Sequence, residues 1–137
     1  MTQWIDEPYN AANFKGRMQN GTDVVWATQA QYVVVKYLML QPDTMLVDFA
    51  VQGSIITDTP LQLLIKVPGG YQLAGNSTTS AIWWENGYGD AGVGRVSADT
   101  RDVDWLRITK MPSYRPPPLI SNTWIPSTGT YTMGQII

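Results

Sequence analysis

The chain has 137 residues, nine basic and eleven acidic side chains for a net charge of −2, and neither cysteine nor histidine. That length suits one domain with a sizeable core. The missing residue types exclude disulfides, thiolate metal sites, cysteine nucleophiles, the commonest general base and the commonest transition-metal ligand. The nine basic residues are scattered from Lys15 to Arg115, so no cationic face is expected and nucleic acid is not an expected partner. Charged residues are 15% of the chain, against about 25% in an ordinary soluble protein. Thr, Gln, Gly, Ser and Asn take their places, as on surfaces that pack against other subunits.

Residues 1–22 carry Trp4, Pro8, Tyr9 and Phe14 with neither a two-residue nor a helical period. They read as an extended N-terminal arm ending near the turn signal Asn20-Gly21. Aromatic residues without periodicity gain little by local packing, so Trp4, Tyr9 and Phe14 are candidates for anchoring the chain to a particle. The start has no basic stretch followed by an apolar one, so no secretory signal is expected. Apolar runs such as "VVV" and "LML" are far too short to span a membrane. The expectation is a soluble chain made in a cytoplasm, with no membrane partner.

Residues 23–137 read as strand after strand. "DVVWAT" and "QYVVVKYLML" (31–40) are rich in β-branched and aromatic residues. "QPDT" (41–44) is a turn with Pro at its second position. In the following run Met45, Val47, Phe49 and Val51 alternate with Thr44, Leu46, Asp48 and Ala50, the period of a half-buried strand whose outer face carries Asp48. The two runs make a long antiparallel hairpin. "SIITDTP" is a bend or short edge piece. In "LQLLIKVPGG" (61–70), Leu61, Leu63, Ile65 and Val67 face inward, Gln62 and Lys66 outward, and Pro68-Gly69-Gly70 stops the strand. Later strands are expected in 80–86, 93–98, 102–109 and 129–137, the last reached through Pro116-Pro117-Pro118 and a connection over 122–127. The expected core contains Val33, Val35, Met45, Val47, Phe49, Val51, Leu63 and Ile65. About eight strands without a helix predict an all-β fold, an antiparallel β-sandwich of jelly-roll type over residues 23–137.

One motif points elsewhere. "IWWENGYGDAGVGRV" (82–96) contains Gly87-x-Gly89-x-x-Gly92, the letter pattern of a dinucleotide-binding turn. That turn needs a helix after the last glycine to receive the pyrophosphate. The residues that follow read as strand, turn, strand. The glycines therefore belong to an irregular antiparallel hairpin, and no cofactor is expected.

Other constellations are equally mute about catalysis. Asp99, Asp102 and Asp104 offer oxygen ligands but lack the spacing and distal Glu of a calcium loop. They read as a solvated face, with Arg101 and Arg107 to hand and no metal. Trp83, Trp84 and Tyr88 are a candidate contact for a host-surface glycan or a partner, though adjacent strand residues face opposite ways and only one Trp can serve a given platform. Trp105 and Trp124 are candidates for a subunit interface. Lys36 and Lys66 occupy outward strand positions. No catalytic residue is assigned, and the chain is expected not to be an enzyme.

Two stretches, "YLMLQPDTMLVDFAVQGSIITDTPLQLLIKVPGGY" (37–71) and "WIPSTGTYTMGQII" (124–137), resemble a group of small tailed-bacteriophage virion proteins. Shared are a hairpin with a central Thr-Met, a strand closing on Pro-x-Gly, and an ending of Trp, a Ser/Thr-rich turn and a Gly-Gln-Ile strand. The resemblance implies a jelly-roll-like homotrimer on a capsid or tail fibre. Its location would be the virion and its partners the major capsid protein or tail components. The expected function is a non-enzymatic capsid-decoration or head-fibre protein. The alternative is a tail-fibre receptor-binding adhesin or carbohydrate-binding module.

Overall fold

A computed structural model describes the backbone of residues 3–51, 60, 62–73, 78–85, 90–99, 101–111 and 123–132, and the side chains of 3–51, 60, 62–73, 95–99 and 101–109. The protein is all-β: among the described residues there are ten strands, and the only helical pieces are single 3₁₀ turns. All strand pairs are antiparallel, in one continuous order that divides into two sheets at its fourth member. The first sheet runs β1 (Ile5–Asp6), β4 (Val33–Gln41), β5 (Thr44–Val51), β10 (Thr123–Thr132). The second continues from β10 through β7 (Thr78–Glu85), β8 (Asp90–Ala98), β9 (Trp105–Met111), β6 (Gln62–Lys66) and β2 (Phe14–Arg17) to β3 (Asp23–Val25). Strand β10 pairs with β5 through residues 125–132 and with β7 only at Thr123 and Trp124.

The inner faces of the two sheets share one core. Alternation in β5 buries Met45, Val47, Phe49 and Val51, as the sequence predicts. From the second sheet come Phe14, Leu63, Ile65, Val96, Ala98, Leu106 and Ile108, with Trp26, Val67 and Leu73 at the margins of the strands. Val33, Val35, Tyr37 and Met39 of β4 pack against this cluster while remaining half-buried. The expected core is thus present, and Leu61 lies outside the described residues. Leu64 is fully buried but stands between Leu63 and Ile65, so alternation places it on the opposite face of the second sheet.

The β4–β5 hairpin turns on Pro42 and Asp43, with Gln41 opposite Thr44. Its register shifts between Met39 and Gln41. Two-residue hairpins prefer turns with positive φ, which Pro42 cannot adopt, and the irregularity beside the turn reconciles the two demands.

Four boundaries differ from the sequence reading. The arm is shorter: Phe14–Arg17 is strand β2, inside the second sheet, and Phe14 belongs to the core rather than to an anchor. The final strand starts at Thr123, not residue 129, and carries Pro126 opposite Ala50. A proline is tolerated there because pairing with β7 has already ended at Trp124, so the missing N–H costs no ladder bond on that side. Strand β9 starts at Trp105, because residues 102–104 form a turn in which the Asp102 carboxylate accepts the Asp104 N–H at 2.9 Å. Strand β8 begins at Asp90, earlier than expected, and pairs Glu85 with Asp90 across a connection of residues 86–89.

Candidate interaction surfaces

The last pairing bears on the glycine motif. Gly87 and Gly89 fall in the connection outside the described residues, and Gly92 is within β8, opposite Trp83. Among the described residues the chain after Gly92 continues as strand β8, where the dinucleotide-binding turn would begin a helix.

Residues 3–13 lie along their own domain as a strap. Strand β1 pairs Ile5 with Tyr37 and Asp6 with Lys36. The Glu7 N–H donates to Val35 O at 2.9 Å, and its carboxylate accepts the Gly69 N–H. Tyr9 shares a 2.6 Å hydrogen bond with Thr28 Oγ1 and stacks on Phe14 with ring centroids 6.3 Å apart. The strap covers a cavity of about 20 Å³ lined by Glu7, Tyr9, Asn13, Phe14, Val35 and Lys66. That is room for about one water, not a metabolite. Of the anchoring candidates, Trp4 and Tyr9 remain well exposed, and Phe14 does not.

The outer face of the first sheet is a second exposed feature. Because β1, β4 and β5 are in register, their outward residues form rows across the strands. One row is Val34 with Ala50, the next Asp6, Lys36 and Asp48, and the third Leu38 with Leu46, beyond which Leu40 also projects. Val34 and Leu40 are each half exposed, at 50%. Lys36 Nζ lies 3.6 Å from Asp48 Oδ2 and 5.4 Å from the centroid of the Trp4 ring. The face is a mainly apolar patch crossed by one row of alternating charge.

The outer face of the second sheet is built differently. The Arg17 guanidinium, on β2, is nearly buried and bonds Asp23 Oδ1 at 2.9 Å and the fully buried Asp99 carboxylate. Lys15 Nζ bonds Asp23 Oδ2 at 3.0 Å and sits 4.2 Å from the centroid of Trp105. Burial alone would lower the pKa of Arg17, but the hydrogen bonds and charges of Asp99 and Asp23 outweigh it and raise it. Burial likewise opposes ionisation of Asp23, yet Arg17 and Lys15 hold its carboxyl below the usual range. Among the described residues, buried Asp99 Oδ2 has no hydrogen-bond partner. Nearby, Arg101 donates to Gly21 O at 2.6 Å. The network ties the β2–β3 hairpin to the chain around residue 99 and places both carboxylates on cations.

The acidic triplet is therefore not a common solvated face. Asp99 is buried on Arg17, while Asp102 is exposed and occupied by its own turn. Among the described residues no three acidic side chains converge as a metal site would require. Trp105, proposed for an interface, is half-buried with Lys15 against it. Trp84 and Trp124 are register partners where β7 meets β10, and Trp83 is next to them on β7. Tyr88 lies outside the described residues.

Comparison with protein-family models, with curated proteins and with solved structures finds no match for this chain.

Proposed function

We propose that the chain is a non-enzymatic structural protein of a bacteriophage particle, a homotrimeric capsid-decoration or head-fibre subunit. The observation that carries the reading is the exposed, mainly apolar outer face of the first sheet on a chain only 15% charged. A small monomer keeps such patches small and its surface charged, whereas assembling subunits leave them for neighbours to cover. The resemblance of 37–71 and 124–137 to small virion proteins supplies the particle, the count of three and the jelly-roll arrangement. The major capsid protein or a tail component is the neighbour expected of such a subunit, and the virion is its place.

Quantitative mass spectrometry of particles purified from cells making this chain tests the reading. The expected result is a fixed copy number per particle that survives density-gradient purification. Absence from the particles contradicts it. Binding of the isolated chain to a glycan array, lost on Trp84→Ala, would favour the adhesin or carbohydrate-binding alternative instead.

A further inference from the structure

We infer that the outer face of the first sheet pairs with the same face of a second copy, about a two-fold axis that runs along the strands between β4 and β5. The inference rests on reading this face as an assembly surface, and it names the occupant.

The charge pattern of the face is self-complementary. Across β4 and β5 the rows read Val34 with Ala50, Lys36 with Asp48 and Leu38 with Leu46. Rotation about an axis parallel to the strands keeps each row at its own height and exchanges its two members. Lys36 then faces the partner's Asp48, and Asp48 faces the partner's Lys36. The apolar rows meet their own kind above and below. A foreign partner would have to reproduce this pattern by chance, whereas a second copy supplies it by symmetry.

The same axis sets β1 of one copy over β10 of the other. Asp6 is then opposite the register position of Thr128 in β10, not opposite another acid. Trp4, exposed beside Lys36, is an aromatic of the kind that anchors interfaces.

Size sets the strength. Three strands of about eight residues and the two-residue β1, spaced about 4.8 Å apart with a rise of about 3.3 Å per residue, give a flat footprint of roughly 400 Å² per copy. Stable complexes bury about 800 Å² per partner, so this contact belongs to the weak, reversible class. A two-fold contact closes a dimer, so the proposed trimer would need its threefold contact on another surface, and the two together would give six copies.

The test uses the full chain and two charge reversals. Lys36→Asp makes positions 36 and 48 both negative, and Asp48→Lys makes both positive. Each is exposed enough to leave folding intact, which circular dichroism checks, because surface pairs of this kind contribute little. Sedimentation equilibrium at about 1–100 μM, where weak, reversible pairing is measurable, should show pairing of the wild type. Either variant alone should raise the dissociation constant about tenfold or more. Equimolar mixing should restore pairing as a heterodimer, and the double variant K36D/D48K should pair with itself. Leu40→Glu should weaken pairing without being rescued by mixing. Single variants that pair as the wild type does, or a mixture that fails to recover, would overturn the two-fold contact. So would a wild type with three copies whose mass is unmoved by the reversals. Loss of particle binding while pairing persists counts against the virion reading alone.

Discussion

Replacing Asp99 with Ala removes the fully buried partner of a guanidinium that is itself only 7% exposed. Breaking a buried ion pair by deleting one member costs about 3–5 kcal/mol, because the other charge stays buried without its counterion. Here Arg17 keeps a second carboxylate, Asp23, at 2.9 Å, and that one is 35% exposed. The expected loss therefore falls at the lower end, about 3 kcal/mol. For a domain of this size the loss lowers the melting temperature by about 10 °C. Urea unfolding followed by tryptophan fluorescence measures it. The pair is not an efficient stabiliser, since Asp99 Oδ2 is desolvated and has no hydrogen-bond partner among the described residues. Arg17→Met with Asp99→Leu should accordingly recover most of the loss, as apolar replacement of a whole buried pair commonly does. An Asp99→Ala protein within about 1 kcal/mol of wild type, or a double variant as unstable as the single, would refute the reasoning.

Phe49→Ala, at a position only 1% exposed in the core, should cost about 3–5 kcal/mol by denaturant unfolding. Gly69 has φ +74°, and a Cβ there would sit 2.9 Å from the Tyr37 ring. Gly69→Ala should therefore cost about 1–3 kcal/mol, read from the shift of the urea midpoint. Asp23 has its folded pKa lowered, so its contribution is present above the unfolded value and lost as pH falls through the folded one. Stability should be level above about pH 5 and fall below about pH 4, less steeply in Asp23→Asn. Deleting residues 1–9 should leave a folded domain by circular dichroism. Deleting 1–20 should not, because it takes Phe14 from the core and Arg17 from its ion pairs.

The legible parts of the fold were those with an uninterrupted period. Strand β5 alternates over its whole length and β6 nearly so, and their buried residues could be named from the pattern. Strand β2 was hidden because Gly16 occupies an inward position, where a Cβ would meet Pro60 at 2.9 Å and Val24 at 3.2 Å. A required glycine erased the apolar signal. Pro126 hid the start of β10 in the same way, since it is read as a breaker unless the end of pairing with β7 is known.

The surfaces were harder to read than the core. Lys36 and Asp48 each read as outward residues, but their adjacency depends on hairpin register. The Arg17–Asp99 pair joins residues 82 apart in sequence, and no local pattern announces it. Asp99 thus read as a solvated acid beside Asp102 and Asp104, when it is the most buried of the three.

We propose that this chain is an assembling subunit whose exposed apolar sheet face is covered by another copy. Sedimentation equilibrium of the full-length wild-type chain across the micromolar range tests it most directly. The account predicts a weight-average mass that rises with concentration to a multiple of the 15.2 kDa subunit. A mass that stays at one subunit throughout would contradict it.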